Sequence, residues 1–223
     1  QVLVSEKAWK TPGSRMFIEV NKRVSVIDLL KGMIIQSGND ASVALAEYIA
    51  GSEEAFAYLM NQHARRLGLK NTNFENATGL PADNHYSSPH DLALIAQALI
   101  RDFPDQYAIY AEKYFTYNDI KQPNRNRLLW RDDTVDGVKT GHTEEAGFCL
   151  VASAKREDMR VITVVLGTDS DEARAAETQK LLAYAFRFFR TFPLYQANAV
   201  LNTPEVWKGA VDSVGLGLAE DLA

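Results

Sequence analysis

The 223-residue sequence is short of several things, and each shortage removes a class of answer. It has one cysteine, Cys149, and a single thiol says nothing about redox compartment. Cys149 sits in an apolar strand pattern and reads as a small core residue. Basic residues number 24 against 29 acidic ones, a net charge of −5, and no Lys/Arg run marks a nucleic-acid footprint. No apolar stretch reaches the length that spans a bilayer. Gln1 opens directly into strand-like sequence, without a basic and then apolar leader. Asp83, His85, His90 and Asp91 are near one another in sequence, but their separations fit no closed zinc pattern, so no metal and no cofactor is expected. No Gly-x-Ser-x-Gly elbow exists, which leaves a Ser-His-Asp hydrolase without support. There is no internal repeat or low-complexity tract.

What is present is a hydrophobic fraction of 46%, enough for one large domain or one domain plus part of another. Residues 1–24 read as short extended pieces around the turn Thr11-Pro12-Gly13-Ser14. Ser25 is an N-cap, with Asp28 as a short form of the capping box. The helix it opens carries Val26, Ile27, Leu29, Leu30, Met33, Ile34 and Ile35 around most of its circumference, a pattern of burial on all sides. It stops at Ser37-Gly38-Asn39-Asp40, and a second apolar helix is expected from about Ala41 to Ala50, closed by Gly51. Ser52 caps a third helix whose stripe runs through Phe56, Leu59, Met60, His63, Ala64 and Leu67, with Ala57, Asn61 and Arg65 off it. Residues 69–87 are irregular and rich in turn formers; a loop of that length is functional or well packed. Ser88-Pro89-His90-Asp91 starts a helix running to about Asp102. A short helix is expected over 104–111 and a strand over 114–117. Phe148–Lys155 and Arg160–Thr168 form a hairpin pattern that is apolar or small on both faces, which implies helices on each side. One long helix follows from Asp171 to Arg190, and short β-like pieces fill 194–223.

Two stretches carry chemistry. In Asp136-Gly137-Val138-Lys139-Thr140-Gly141-His142-Thr143 a cation, a hydroxyl and a glycine open a strand. Lys139 and Thr140 suit a carboxylate, and Gly141 leaves room for a second backbone. An exposed edge strand can take a peptide as an added strand; the other reading is a polar turn entering a hairpin. The second stretch is Ser37-Gly38-Asn39, two polar side chains held between two buried helices. That is a rigid presentation for chemistry, although the same residue types also cap helices. Arg125, in Asn124-Arg125-Asn126, is either a surface charge or a planar fork for a carboxylate.

Together these residues resemble a known family. Ser37-Gly38-Asn39 in its helix–turn–helix setting resembles the second motif of the penicillin-binding protein and serine β-lactamase superfamily, and Lys139-Thr140-Gly141 resembles the third. Leu69-Lys70-Asn71-Thr72, Tyr86-Ser87-Ser88, Asn124-Arg125-Asn126 and Val135-Asp136-Gly137 resemble the low-molecular-mass D-alanyl-D-alanine carboxypeptidases over about residues 1–193. The rest resembles the start of that family's β-rich C-terminal domain. The resemblance implies a mixed α/β (α+β) fold, an antiparallel sheet flanked by helices. That family sheet has five strands, with the Lys139 strand at one edge and the outer strands at the other side expected partly from the missing N-terminus.

The family's nucleophile is a serine three residues before a lysine, and no serine here has that partner. The chain is therefore expected to be incomplete at its N-terminus, and likewise at its C-terminus. The implied reaction is acyl transfer through a serine ester. Ser37 carries a proton toward the leaving amine, Asn39 holds the substrate amide, and Lys139 keeps the Ser37 hydroxyl poised. Thr140, assisted by Arg125, receives the terminal carboxylate; Gly141 and His142 line the cleft, with the His142 N–H as one oxyanion donor. The implied partners are a peptidoglycan stem peptide ending in D-Ala-D-Ala and β-lactam antibiotics. No nucleic acid is expected, and a membrane only through a C-terminal segment not present here. The implied location is the bacterial envelope, on the periplasmic side of the inner membrane. An inactive recognition fragment of such a protein and a serine β-lactamase are the alternatives; Glu75 in the 69–87 loop lacks the surroundings of the β-lactamase glutamate.

Overall fold

The computed structural model describes residues 1–222. In chain order the elements are β1 (Val2–Leu3), α1 (Glu6–Lys10), β2 (Arg23–Val24), α2 (Val26–Ile35), α3 (Asn39–Ala50), α4 (Glu53–Arg66), α5 (Pro89–Asp102) and α6 (Pro104–Tyr107). They continue as β3 (Tyr114–Tyr117), β4 (Ile120–Pro123), β5 (Val135–Thr143), β6 (Gly147–Arg156), β7 (Met159–Thr168) and α7 (Asp171–Phe188). Short 3-10 turns at Ala108–Ala111 and Arg127–Trp130 join some of them.

The helix starts are where the hydroxyl caps place them. Ser25, Ser52, Ser88 and Ser170 each accept a hydrogen bond from the backbone N–H three residues on, which satisfies a donor the helix leaves open. α1 escapes the sequence reading, which had only extended pieces in 1–24. Its five residues are too few to show a period, and its one signal is Ser5 accepting from Ala8 N–H at 3.0 Å. α3 begins at Asn39 rather than Ala41, because Gly38 takes the N-cap position. α4 turns its inward side only part of the way from the stripe read in sequence: Ala64 of that stripe is buried together with Ala57, which lay off it, while His63 and Leu67 are exposed. Asn61, between the two alanines, clasps Phe74 with its Nδ2 and Oδ1 at 2.7 and 2.9 Å. Two small residues and an amide let a loop pack close where a run of large side chains would hold it off. α2 is buried as expected, apart from Ile27, which is 48% exposed.

Three cores follow. The first gathers Leu29 and Ile35 of α2, Val43 and Leu45 of α3, and Met16 and Ile18 of the preceding loop. The other two lie on opposite faces of the sheet. Leu150, Ala152 and Ala154 of β6 pack with Ala175 and Leu182 of α7. On the other face Val151 and Ile162 pack around Ala96 of α5 and Tyr107 of α6. Alternate residues of one strand therefore enter different cores, which is why the hairpin shows no polar face.

The sheets are antiparallel: β1 with β2, β3 with β4, and the order β5-β6-β7. The sheet that carries Lys139 has three strands among the described residues, which leaves room on its β7 side for the outer strands of the family's five-stranded sheet; β1 with β2 and β3 with β4 form separate pairs. β5 lies at one edge. The 69–87 loop is pinned from behind by Asp91, 1% exposed, which accepts from Asn71 N–H at 2.7 Å and Thr72 Oγ1 at 2.8 Å. Beyond α7, residues 189–222 contain three nested bridges, Tyr195 with Leu222, Asn202 with Leu216 and Glu205 with Ser213.

Candidate active site

The site lies where the α2–α3 turn meets the free edge of β5. Ser37 has φ of 63°, a left-handed conformation that costs a non-glycine residue about 1–2 kcal/mol. It is held there by its neighbours: Gly38 N–H donates to Gly32 O at 3.0 Å, Asn39 N–H to Ser14 O at 2.8 Å, and Arg125 N–H to Ile35 O at 3.3 Å. A strained backbone persists only when its surroundings over-determine it. Here the result is a hydroxyl aimed at β5. Lys139 Nζ donates to Ser37 Oγ at 2.8 Å and to Thr140 O at 3.0 Å. Two residues 102 positions apart thus form one hydrogen-bonded pair.

The pair is cationic and poorly solvated. No carboxylate among the described residues forms an ion pair with Lys139. Burial is the main cause that pushes its ammonium down to about 7, and the Arg125 and Arg174 guanidiniums push the same way. A lysine near 7 can exist in either protonation state at neutral pH, which is what a proton relay needs.

The remaining expected residues fall as follows. Thr140 is 9% exposed, and its hydroxyl has no hydrogen-bond partner among the described residues. A Cβ built on Gly141 would meet only Cys149 Cβ, at 3.8 Å, so the room beside it belongs to the groove. His142 is exposed and its ring lies 4.0 Å from that of Phe148, centroid to centroid. Arg125 donates from Nε to Gln36 O at 2.9 Å, and burial followed by Arg174 lowers its pKa. Its guanidinium borders a cavity of about 440 Å³ shared with His142 and Arg174. Asn39 is the one apart: it is 8% exposed, and its Nδ2 donates to Pro12 O at 2.8 Å instead of reaching Ser37 or Lys139.

Two residues of the site escaped the sequence reading. Arg174 of α7, 7% exposed, donates from Nη1 to Gly141 O at 3.0 Å and Cys149 O at 3.3 Å. It pairs with Asp171 through Nη2, and it fastens the helix beneath the Lys139 strand. Its sequence surroundings are those of an ordinary helix. Asp40, 1% exposed, accepts from Met16, Phe17, Ile18 and Ala41 N–H groups at 2.9–3.2 Å; it read only as part of a helix stop. Cys149 is partly buried, not a core residue. It borders a groove of about 700 Å³ between the 69–87 loop and the β5–β6 turn, with Leu80, Tyr86 and Glu145. Of Asp83, His85, His90 and Asp91 only the neighbours His90 and Asp91 meet, Nδ1 to Oδ1 at 3.4 Å; Asp91 holds the loop, and His85 Nδ1 accepts from Glu75 N–H at 3.2 Å.

Comparison with known proteins identifies the family. The family model described as Peptidase_S11, D-alanyl-D-alanine carboxypeptidase, matches residues 1–170. D-alanyl-D-alanine carboxypeptidase DacC of Escherichia coli (strain K12) is 51% identical over 98% of this chain and 56% of its own length. DacA of the same organism is 47% identical over 99% and 57%. Penicillin binding protein 5 from Haemophilus influenzae superposes with a TM-score of 0.91 at 47% identity, covering 99% of this chain and 65% of that one. The chain spans a little over half the length of these curated relatives. With the family model across three quarters of its residues, half-identical relatives along nearly all of it and the Ser37–Lys139 pair at the sheet edge, the chain belongs to the D-alanyl-D-alanine carboxypeptidase family.

Proposed function

We propose that this chain supplies the proton relay and the carboxylate site of a serine-type D-alanyl-D-alanine carboxypeptidase. The substrate is a peptidoglycan stem peptide ending in D-Ala-D-Ala, lying along the open edge of β5. The observation that carries the reading is the 2.8 Å hydrogen bond from Lys139 to Ser37. The 223 residues contain no Ser-x-x-Lys sequence, so the reading assigns them the supporting groups and not the attacking serine. The hydroxyl of the serine in a Ser-x-x-Lys segment gives its proton to that segment's lysine as its oxygen adds to the carbonyl carbon of the last peptide bond. Ser37 passes a proton, replenished from Lys139, to the departing D-alanine nitrogen as the C–N bond breaks. Water then cleaves the acyl ester. Thr140 and Arg125 receive the terminal carboxylate, Gly141 and His142 border the cleft, and Asn39 bears on the substrate amide once it turns from Pro12. No cofactor takes part.

β-Lactams fit the same groove as acylating ligands; a similar solved structure is penicillin-binding protein D2 from Listeria monocytogenes in the cefotaxime-bound form, at 33% identity and a TM-score of 0.73. The envelope location, on the periplasmic side of the inner membrane, belongs to the same proposal, as does a boundary near 193 between a catalytic domain and a β-rich one. No helix among the described residues is long and apolar enough to cross a membrane.

The test is release of D-alanine from a pentapeptide by a protein carrying this chain together with a Ser-x-x-Lys segment. Ser37→Ala should lower kcat by about 10²-fold or more, the range for a positioned proton donor. Full activity in that variant would overturn the role given to Ser37. Intact-mass measurement with penicillin separates the alternatives: a lasting adduct fits a carboxypeptidase, and rapid turnover without one fits a β-lactamase.

A further inference from the structure

Ser37 and Lys139 belong to different elements, so something must set the distance between them. Asn124-Arg125-Asn126 touches both. On the α2 side, Arg125 N–H donates to Ile35 O at 3.3 Å and Arg125 Nε to Gln36 O at 2.9 Å, the two carbonyls just before Ser37. On the β5 side, Asn126 Nδ2 donates to Gly137 O at 3.1 Å, two residues before Lys139. The amide's other end is also used, since Asn126 Oδ1 accepts from Leu128 N–H at 3.1 Å. Asn124 locks the turn: its Oδ1 accepts from Asn126 N–H at 2.9 Å, and its Nδ2 donates to Tyr110 O and Glu112 O at 3.3 and 3.0 Å. Asn126 is 1% exposed and Asn124 7%. Buried amides with these bonds made are rigid, and any one lost leaves a costly unpaired group.

We propose that Asn126 is a positioning residue: its amide fixes the start of β5 against the end of α2, and so holds Lys139 within hydrogen-bond reach of Ser37. A shorter side chain at 126 frees Gly137 O and lets β5 move away from the turn. Only the catalytic meaning of the pair rests on the proposed function; the coupling itself does not.

The test needs no turnover. Lys139 is followed by NMR of selectively labelled lysine side chains in the protein, its signal identified by its loss in Lys139→Arg. The charges facing Lys139 are Arg125 on this same segment and Arg174 on α7, and neither is altered. Asn126→Ala should raise the Lys139 titration midpoint by about one unit or more, as water returns to the ammonium. Leu45→Ala, a core truncation in α3, destabilises the protein without touching the segment and should leave the midpoint in place. Unmoved Lys139 in Asn126→Ala, or equal movement in both variants, overturns the proposal. Should Asn126→Ala fail to fold, Asn124→Ala removes the support of Asn126 without touching β5. It should shift Lys139 in the same direction by a smaller amount, and no shift there also overturns the proposal.

Discussion

A half-buried ammonium with no carboxylate partner among the described residues is a cost the fold carries, and the cost depends on pH. At pH below about 7 Lys139 is protonated whether the chain is folded or not, so the full penalty of burying the charge is present. Between about 7 and the ordinary lysine value of 10.5 the unfolded chain keeps a proton that the folded protein has shed. Stability therefore rises with pH across that window. Lys139→Met removes the titration. A fall of about three and a half pKa units at about 1.4 kcal/mol each bounds the gain at about 5 kcal/mol, and because Lys139 is half-buried the variant should be more stable than the parent at pH 6 by roughly 2–4 kcal/mol. The advantage should shrink as pH approaches 10. Urea unfolding at pH 6 and pH 9.5 measures it; an equal difference at both values would show that Lys139 does not titrate differently in the two states. Ser37 and Lys139, which meet in the structure, stood out only when two triplets were read jointly: a Ser-x-Asn between buried helices reads by itself as capping, and a Lys-Thr-Gly before a strand as a polar turn. Arg174 did not stand out, because its meaning comes from carbonyls at 141 and 149 that the chain order hides.

Among elements, the caps were readable and the long-range anchors were not. A serine before a helical pattern reports its own function, since its partner is three residues away. Asp40 shows the opposite case. Its carboxylate stands inside the start of α3 and gathers N–H groups from residues 16–18, some 22–24 positions earlier, where the chain read as an apolar extended piece. Those three donors make the loop lie across α2, with Met16 fully buried over Gly32. Asp40→Asn keeps the shape but turns one acceptor into a donor facing backbone N–H groups. The variant should lose about 3 kcal/mol or more, the cost of leaving one or two buried donors unpaired. The loss should appear as a lower urea midpoint with unchanged slope. A change within about 0.5 kcal/mol would mean that the loop holds its place without the carboxylate. Because Asn39 and Ser37 flank this anchor, weakened order at the Ser37 turn should accompany the loss.

At the scale of the whole molecule, the apolar character of 147–168 correctly announced a sheet covered on both faces, by α7 and α5. The pairing of β6 with β7 was legible as a hairpin; that of β1 with β2 was not, because it joins segments some twenty positions apart that no local pattern links. The finished arrangement leaves the sheet with two unlike edges. β5 at one edge is the proposed peptide-binding strand. β7 at the other is ten residues long and has no strand neighbour among the described residues. A long unprotected edge invites pairing with another chain. The exposed apolar side chains Leu181, Tyr184 and Phe188, spaced along one side of α7, add a second adhesive surface. The chain on its own should therefore self-associate as its concentration rises from micromolar to hundreds of micromolar, with a broad thermal transition that depends on concentration. Sedimentation velocity over that range measures the association, and calorimetry the transition. A monomer throughout, with one sharp and concentration-independent melt, would show that β7 is closed to pairing by its side chains and that the two helices suffice to protect the sheet.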